Sequence, residues 1–514
     1  MVSMRLNALL TILAVVFLFS SCQTEFVEQT PQRIDIFSDE KPLEINLIMD
    51  PKLYRQMMRE KHTGKTLVNP DAPLPENPYN WYPADVEING IRINHIGVRN
   101  RGFMGSLYSS EPRFKLQLDR YIPGQNFFSV KDITVSNSAG DIIRFRTHLV
   151  YDLFEAAGYP APRSSVAHVS LNGQFLGVSV NIEPIKKPFL MRCYGNDEGS
   201  LYEGAKYADF LQDRLNRFEV KTSHTDRNKD PIKQLTSVLE LPDDQLVDEL
   251  SEVLDINRYL TFLAVNYIAN NSDAYNDAQN NFYVYFNPDD ENKATLIPWG
   301  ADKAFGNYNI PFSNHLQAEI PRRISRIPQL QEKMEQELLR IINEVWVEEE
   351  IINKIDNYSE LVQSSGVSIV NFSQQVEALK AWVRQRDDQI REVLSLGAGE
   401  GADSSTTSMQ MVEVKTQQAK EKDGGEKTFE KDYTNKEDWE WDKKAGETKE
   451  KTWDKTFDKS RDGKKGHMES TVNQQSKETL KDTSAVIGEN GRDIYYLGII
   501  FLASVLIIFI KFIR

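Results

Sequence analysis

NNSDAYNDAQNNFYVYFNPDDENKATLIPWGADKAFG, residues 270–306, is the stretch on which the fold turns. Asp273 precedes a run of amide and acidic side chains. Two strand-like segments, NFYVYF and ATLIPW, then flank an acidic turn at 288–292, and Asp302 sits in a short loop ending at Phe305-Gly306. Two such segments joined by a turn predict an antiparallel hairpin, which brings Asp302 back beside Asn281. Asp273, Asn281 and Asp302 then offer carboxylate and amide oxygens of the kind that Mg²⁺ or Mn²⁺ takes together with phosphate. Asp and Asn are also ordinary turn formers, so this window alone allows a purely structural reading.

Outward from that hairpin the pattern alternates between periods of 2 and 3.6, which predicts a mixed α+β domain over residues 40–397. Strands are expected in ADVEINGIRINHIGVRNRG, PRFKLQLDRY and SVAHVSLNGQFLGVSVNIEPI, with hairpin turns at Asn89-Gly90 and Asn172-Gly173. Helices are expected in IIRFRTHLVYDLFEAAG, DINRYLTFLAVNYIANN and SQQVEALKAWVRQRDDQIREVL. Strands dominate the N-terminal part and helices the C-terminal part.

The ends read differently. MVSMRLNALLTILAVVFLFSSCQ has an early Arg5, an apolar run from Leu9 to Phe19 and small residues leading into Cys22. Residues 1–21 therefore read as a lipoprotein signal peptide, with Cys22 the lipidated residue. An uncleaved anchor or an ordinary signal peptide would export the chain as well. Residues 22–39 follow as a linker. Lipidation of Cys22 would leave Cys193 as the remaining thiol and no internal disulfide. From 398 to 493 the chain is Gly, Ser, Thr, Lys, Glu and Asp with few aliphatics and a degenerate repeat, EKTFEKDY then EKTWDKTFDK, which predicts a disordered charged tether. Its Trp439, Trp441, Trp453 and Phe457 are the alternative sign of a docking segment. Residues 494–514 read as a transmembrane helix with a basic end. Gln23 would favour the outer membrane of a two-membrane cell and the terminal helix the inner one, and the helix is the stronger signal. Both ends predict a membrane-anchored, extracytoplasmic protein of the cell envelope.

Other chemistries find little support. A net charge of −15 opposes an electrostatic grip on nucleic acid. The seven histidines form no zinc pattern. No Gly-x-Ser-x-Gly elbow or Walker A loop is present.

What remains resembles the spore coat protein H (CotH) kinase family of atypical protein kinases. Asp273-Ala274-Tyr275, Asn281-Phe282-Tyr283 and Pro298-Trp299-Gly300-Ala301-Asp302-Lys303-Ala304-Phe305-Gly306 are similar to that family's core motifs. In the same order, GVRNRG (97–102) resembles its Arg-Gly strand and loop, EPRFKLQLD its lysine strand, IIRFRTHLVYDLFEAAG to IEPIKKPFL its central helix and hairpin ending in a glutamate, and FSQQVEALKAWVRQRDDQI its closing helix. The resemblance implies an atypical protein-kinase-like fold that uses ATP with Mg²⁺ or Mn²⁺ on Ser/Thr of a protein substrate; separately, the reach of the Ser/Thr-bearing tail (DKSRD, ESTVNQQS) makes it an expected substrate in cis. By position the resemblance implies Asp273 as the catalytic base and Asn281 and Asp302 as metal ligands. Lys115, Arg101 and Gly102 would lie at the nucleotide, with Glu183 paired to Lys115 or to a second metal. Lys115 also reads as a solvated strand residue, and Glu183, before Pro184, as a turn residue. Gly300 departs from the pattern, because the family carries there the first aspartate of an Asp-x-Asp pair, and Phe103 and Met104 replace small polar residues after Gly102. A kinase-like binding or assembly protein without catalysis therefore stands as the second expectation, with a purely structural anchor behind it.

Overall fold

The structure is a computed structural model, and it describes residues 34–61, 69, 77–102, 111–222, 225–306 and 312–398. All of these fall within the first of two compact units, Met1–Gly424. The expected signal peptide, Cys22, the tether from 399 onward, the 494–514 helix and the Phe103-Met104 pair lie outside the described residues. Among the described residues no helix is long and apolar enough to cross a membrane.

Seven strands close into a barrel: β1 (Leu43–Ile48), β2 (Tyr82–Ile88), β3 (Ile91–Asn100), β4 (Phe114–Gln117), β5 (Asp132–Ser136), β6 (Ser164–Leu171) and β7 (Gln174–Ile182), in the order β1-β2-β3-β4-β5-β7-β6. Neighbours run antiparallel except β1 with β6, whose parallel pairing closes the ring. The alternating patterns dictate this arrangement. Val86, Ile96, Val98, Phe114, Leu116, Ile133 and Val135 turn inward and are buried, while their neighbours face out. The turns are where the sequence puts them: Asn89 and Gly90 have φ of 47° and 79°, and Asn172 and Gly173 have 51° and 80°. This is the left-handed pair that a tight hairpin requires. Strands β6 and β7 are buried on both faces, because Ala167 and Val169 face the barrel while Val166, Val178 and Val180 face the helices. The fold begins earlier than residue 40: Ile36 is buried in the barrel core, and its carbonyl accepts from Ser165 Oγ at 2.7 Å and Asn181 Nδ2 at 2.9 Å.

A second, antiparallel sheet of four strands has the order β11-β10-β8-β9. It comprises β8 (Ser200–Gly204), β9 (Phe218–Val220), β10 (Phe282–Asn287) and β11 (Lys293–Pro298). Helices follow in chain order as α1 (Pro51–Arg59), α2 (Arg146–Ala156), α3 (Lys187–Tyr194), α4 (Asp230–Leu239), α5 (Asp243–Val253), α6 (Ile256–Ile268), α7 (Tyr275–Ala278), α8 (Glu319–Ile324), α9 (Pro328–Arg340), α10 (Glu348–Gln363) and α11 (Phe372–Ala398). Helix α6, capped where Asp255 Oδ1 accepts from Arg258 N at 3.0 Å, is the hub of the helical core; from Tyr259 to Ile268 only Thr261 reaches the surface appreciably. Its C-terminus is tied down from two directions. Arg386 of α11 donates to Tyr267 O and Ile268 O, and Phe305 N donates to Ala269 O at 2.7 Å. The chain that emerges is the Asp273 loop. Strand-rich and helical halves are therefore arranged as the sequence predicts, as a mixed α+β fold.

Candidate active site

The barrel face carrying β3 and β4 and the four-stranded sheet enclose a cleft of about 730 Å³. In β3 and β4 Arg99 is registered opposite Lys115, and Val98 opposite Leu116. With a period of 2, Arg99 and Arg101 point the same way as Arg113 and Lys115, while Asn100 and Phe114 point inward. One strand pair thereby lays four cations along the cleft wall. Among the described residues, Lys206, Lys221 and Lys303 raise the lining to seven basic side chains, against four carboxylates, Glu203, Glu219, Asp273 and Asp302.

Lys115 sits among these cations, and its ammonium is pushed down to about 7. Burial is the main cause, Arg101, Lys221 and Arg99 add repulsion, and Glu203 opposes the shift. Glu203 lies opposite Tyr283 in the β8–β10 register and is ion-paired to Lys221; the Tyr283 phenol also bonds to it. Burial pushes the Glu203 carboxyl up, but Lys221 and Lys115 outweigh it and leave the group below its ordinary value. Arg101 lies between the two ends of the cleft, within electrostatic reach of both Glu203 and Asp302, and burial holds its guanidinium below the usual range. Gly102 has φ of 121°, and its carbonyl accepts from Tyr79 Oη at 2.5 Å.

Glu183 lies elsewhere. It accepts from Arg163 N at 3.1 Å and from Arg192 Nη2 at 2.5 Å, pairs with Arg163 Nη2 at 2.9 Å, and does not line the cleft. The expected Glu183–Lys115 pair is thus corrected: two arginines take up Glu183 at the end of β7, and the acid facing Lys115 is Glu203. Both Glu203 and Lys221 were missed in the sequence. Glu203 lies in a strand of five residues and Lys221 directly follows one of three, both too short to show a period. The available signal was only the acid within the short apolar run Leu201-Tyr202-Glu203.

At the other end, the β10–β11 hairpin does what residues 281–299 predict. Phe282 pairs with Pro298, and Trp299 N donates to Asn281 O at 3.1 Å, so the chain returns with Gly300 against Asn281. The Asn281 Nδ2 group donates to Asp273 O at 3.1 Å, Asp273 Oδ2 at 3.0 Å and Gly300 O at 3.0 Å. These bonds fix the amide and leave its oxygen as the group able to meet a cation. Asp302 Oδ2 accepts from Gly140 N at 3.0 Å. Gly140 follows β5, and a Cβ there would stand 2.9 Å from Asp302 Oδ2, so glycine permits this approach. Gly300 is equally constrained: φ is 49°, and a Cβ would meet Asn281 Cγ and Oδ1 at 2.9 Å. The backbone at 300 therefore has no room for an aspartate as it stands.

One carboxylate, Asp302, and one amide oxygen, Asn281, are hard donors that suit a divalent ion sharing its remaining positions with phosphate and water. Among the described residues no cluster of three His, Cys, Asp or Glu side chains could hold a metal without such help. Lys115, Arg101, Gly102, Asp273, Asn281 and Asp302 all line the one cleft, and Glu183 does not.

The family model described as CotH kinase protein matches residues 98–390, more than half of the chain. Inner spore coat protein H of Bacillus subtilis is 24% identical over 235 residues, 44% of this chain and 62% of that protein. Invasin CotH2 of Rhizopus delemar is 24% identical over 187 residues, 33% of this chain and 32% of the relative. The chain thus spans less than two thirds of the length of these curated relatives. Among solved structures, the HipA–HipB–operator DNA complex of Shewanella oneidensis overlaps with a TM-score of 0.31 at 11% identity, covering 68% of this chain and 74% of that one. The Helicobacter pylori proinflammatory kinase CtkA overlaps with a TM-score of 0.26 at 8% identity, covering 55% and 95%.

Proposed function

The chain belongs to the CotH kinase protein family, and from that premise we propose that the cleft binds ATP with Mg²⁺ or Mn²⁺ and transfers the γ-phosphoryl group to a Ser or Thr hydroxyl of a protein. The observation that carries the reading is charge: in a chain with a net −15, the described residues set seven basic side chains against four acidic ones on the walls of a single cleft. A polyanion is the natural occupant of such a site.

In this reading Lys115 and Arg101 neutralise phosphate oxygens, Lys115 taking up a proton as phosphate binds, and Glu203 keeps Lys115 oriented. Asn281 and Asp302 hold the divalent ion, which when bound supplies charge neutralisation at the β- and γ-phosphates. Asp273 has its Oδ2 held by the Asn281 amide and by Lys303, so Oδ1 is the oxygen left to accept the substrate proton. The acceptor oxygen bonds to the γ-phosphorus as the bond to the bridging oxygen breaks, ADP leaves, and the hydroxyl proton passes to Asp273. Positioning and fixed charge supply most of such a catalysis.

The proposal extends to place and partner. It puts the domain outside the cytoplasm, anchored through a lipid on Cys22 and the apolar 494–510 segment, acting on envelope or surface proteins and on Ser/Thr of its own tail. A second reading has one observation in its favour: Gly300 removes a carboxylate from the metal end. On that reading the same scaffold serves as a binding or assembly protein at the cell surface.

The test is the full-length chain incubated with γ-labelled ATP and either Mg²⁺ or Mn²⁺. Label is expected on the chain itself or on a Ser/Thr-rich acceptor, and only when a divalent ion is present. No transfer with either metal would favour the binding protein.

A further inference from the structure

Resting on the kinase reading, one side chain at the metal end has no part in the expected motif. Lys303 follows Asp302 directly, is 54% exposed, and places Nζ 3.3 Å from Asp273 Oδ2. Its stem lies over Gly140, where an added Cβ would come within 3.3 Å of Lys303 Cγ. The bare backbone after β5 therefore seats both Asp302 and Lys303 on the same side of the cleft. Gly300, two residues before Asp302, contributes no charge. The 300–303 loop thus brings one carboxylate and one ammonium to the site.

We infer that Lys303 is a phosphate-binding residue of this site: its ammonium leaves Asp273 for the terminal phosphate of the nucleotide, supplying fixed positive charge in a loop with a single metal-binding carboxylate. A half-exposed ion pair such as Lys303–Asp273 is held weakly. A terminal phosphate offers more negative charge than one carboxylate and several acceptor oxygens, so the exchange favours the nucleotide. It also frees Asp273 Oδ2 from a cation at the moment a base is needed. Part of the grip on the triphosphate then comes from the protein and persists without any divalent ion.

Calorimetric titration of the full-length chain with ATP and with ADP, in chelator and then in Mg²⁺, separates the possibilities. In chelator the wild type is expected to bind ATP, and Lys303→Met to bind it about tenfold more weakly, equivalent to about 1.4 kcal/mol. The ADP affinity should change less than about twofold, and Lys303→Arg should stay within about threefold of the wild type for ATP, since charge is retained. Equal ATP affinity of wild type and Lys303→Met in chelator would overturn the inference, and so would an equal loss for ADP. In both cases ATP binding by the wild type would leave the parent reading standing. Absence of wild-type binding in chelator alone overturns the inference, while absence under Mg²⁺ as well overturns the kinase reading with it.

Discussion

Asp273→Asn is expected to slow phosphoryl transfer by about 10²–10⁴-fold while leaving ATP affinity within a few-fold of the wild type. The substitution keeps the size of the side chain and the Asn281 contact to the main-chain carbonyl of residue 273. It removes the oxygen able to take a proton. Because Lys303 loses its carboxylate partner, nucleotide binding should if anything tighten. Steady-state kinetics with a peptide acceptor, together with a separate binding titration, distinguish this from a folding defect. A rate within threefold of the wild type would show that proton removal is done elsewhere, and that Asp273 only shapes the turn.

Arg386→Met is expected to cost on the order of 3 kcal/mol of stability, more than any surface change in the domain. Arg386 is fully buried; Nε donates to Ile268 O at 2.9 Å and Nη2 to Tyr267 O at 2.6 Å. Its guanidinium also lies over the rings of Tyr267 and Trp382, at 5.2 Å and 5.1 Å. Burial pushes it down to about 10, so it remains charged at neutral pH. A helix C-terminus presents carbonyls without intrahelical partners, and losing a charged donor to buried ones costs about 1–3 kcal/mol for each group left unsatisfied. Methionine fills the volume without the donors, so urea unfolding should show the loss as a lower midpoint at unchanged slope. Arg386→Lys should recover only part of it, since one ammonium cannot reproduce the planar fork. A loss below about 1 kcal/mol would mean that the α6 terminus finds other partners, and the Asp273 loop would not depend on α11 for its position.

Much of this site could be read from residue patterns, for identifiable reasons. The two Asn-Gly turns fix hairpin registers locally, and alternation in Arg99-Asn100-Arg101 and Arg113-Phe114-Lys115 fixes which side chains share a face. The return of Asp302 toward Asn281 follows from one short hairpin. What failed to show was set by distant pairings. Barrel closure depends on β1 meeting β6 in parallel, more than a hundred residues away in sequence. Glu203 and Lys221 reach the site only because β8 adds to β10. Glu183 misled because it ends the strand that the family pattern emphasises, whereas Arg163 and Arg192 capture it in the folded chain. The Lys303–Asp273 contact likewise depends on where two loops meet, and neither loop has a period.

The central claim is that a triphosphate lies against Lys115 within the cleft, and calorimetric titration with ATP and Mg²⁺ at pH 8, in two buffers of different ionisation enthalpy, tests it most directly. With its ammonium pushed down to about 7, Lys115 is largely neutral in the empty cleft at that pH. Phosphate favours the charged form and raises its pKa, so binding should take up about one proton and weaken as pH rises through 7 and above. One-to-one saturable binding with that uptake, and loss of the uptake in Lys115→Met, is the expected result. Absence of saturable binding, or binding of the same affinity and proton balance in Lys115→Met, would contradict it.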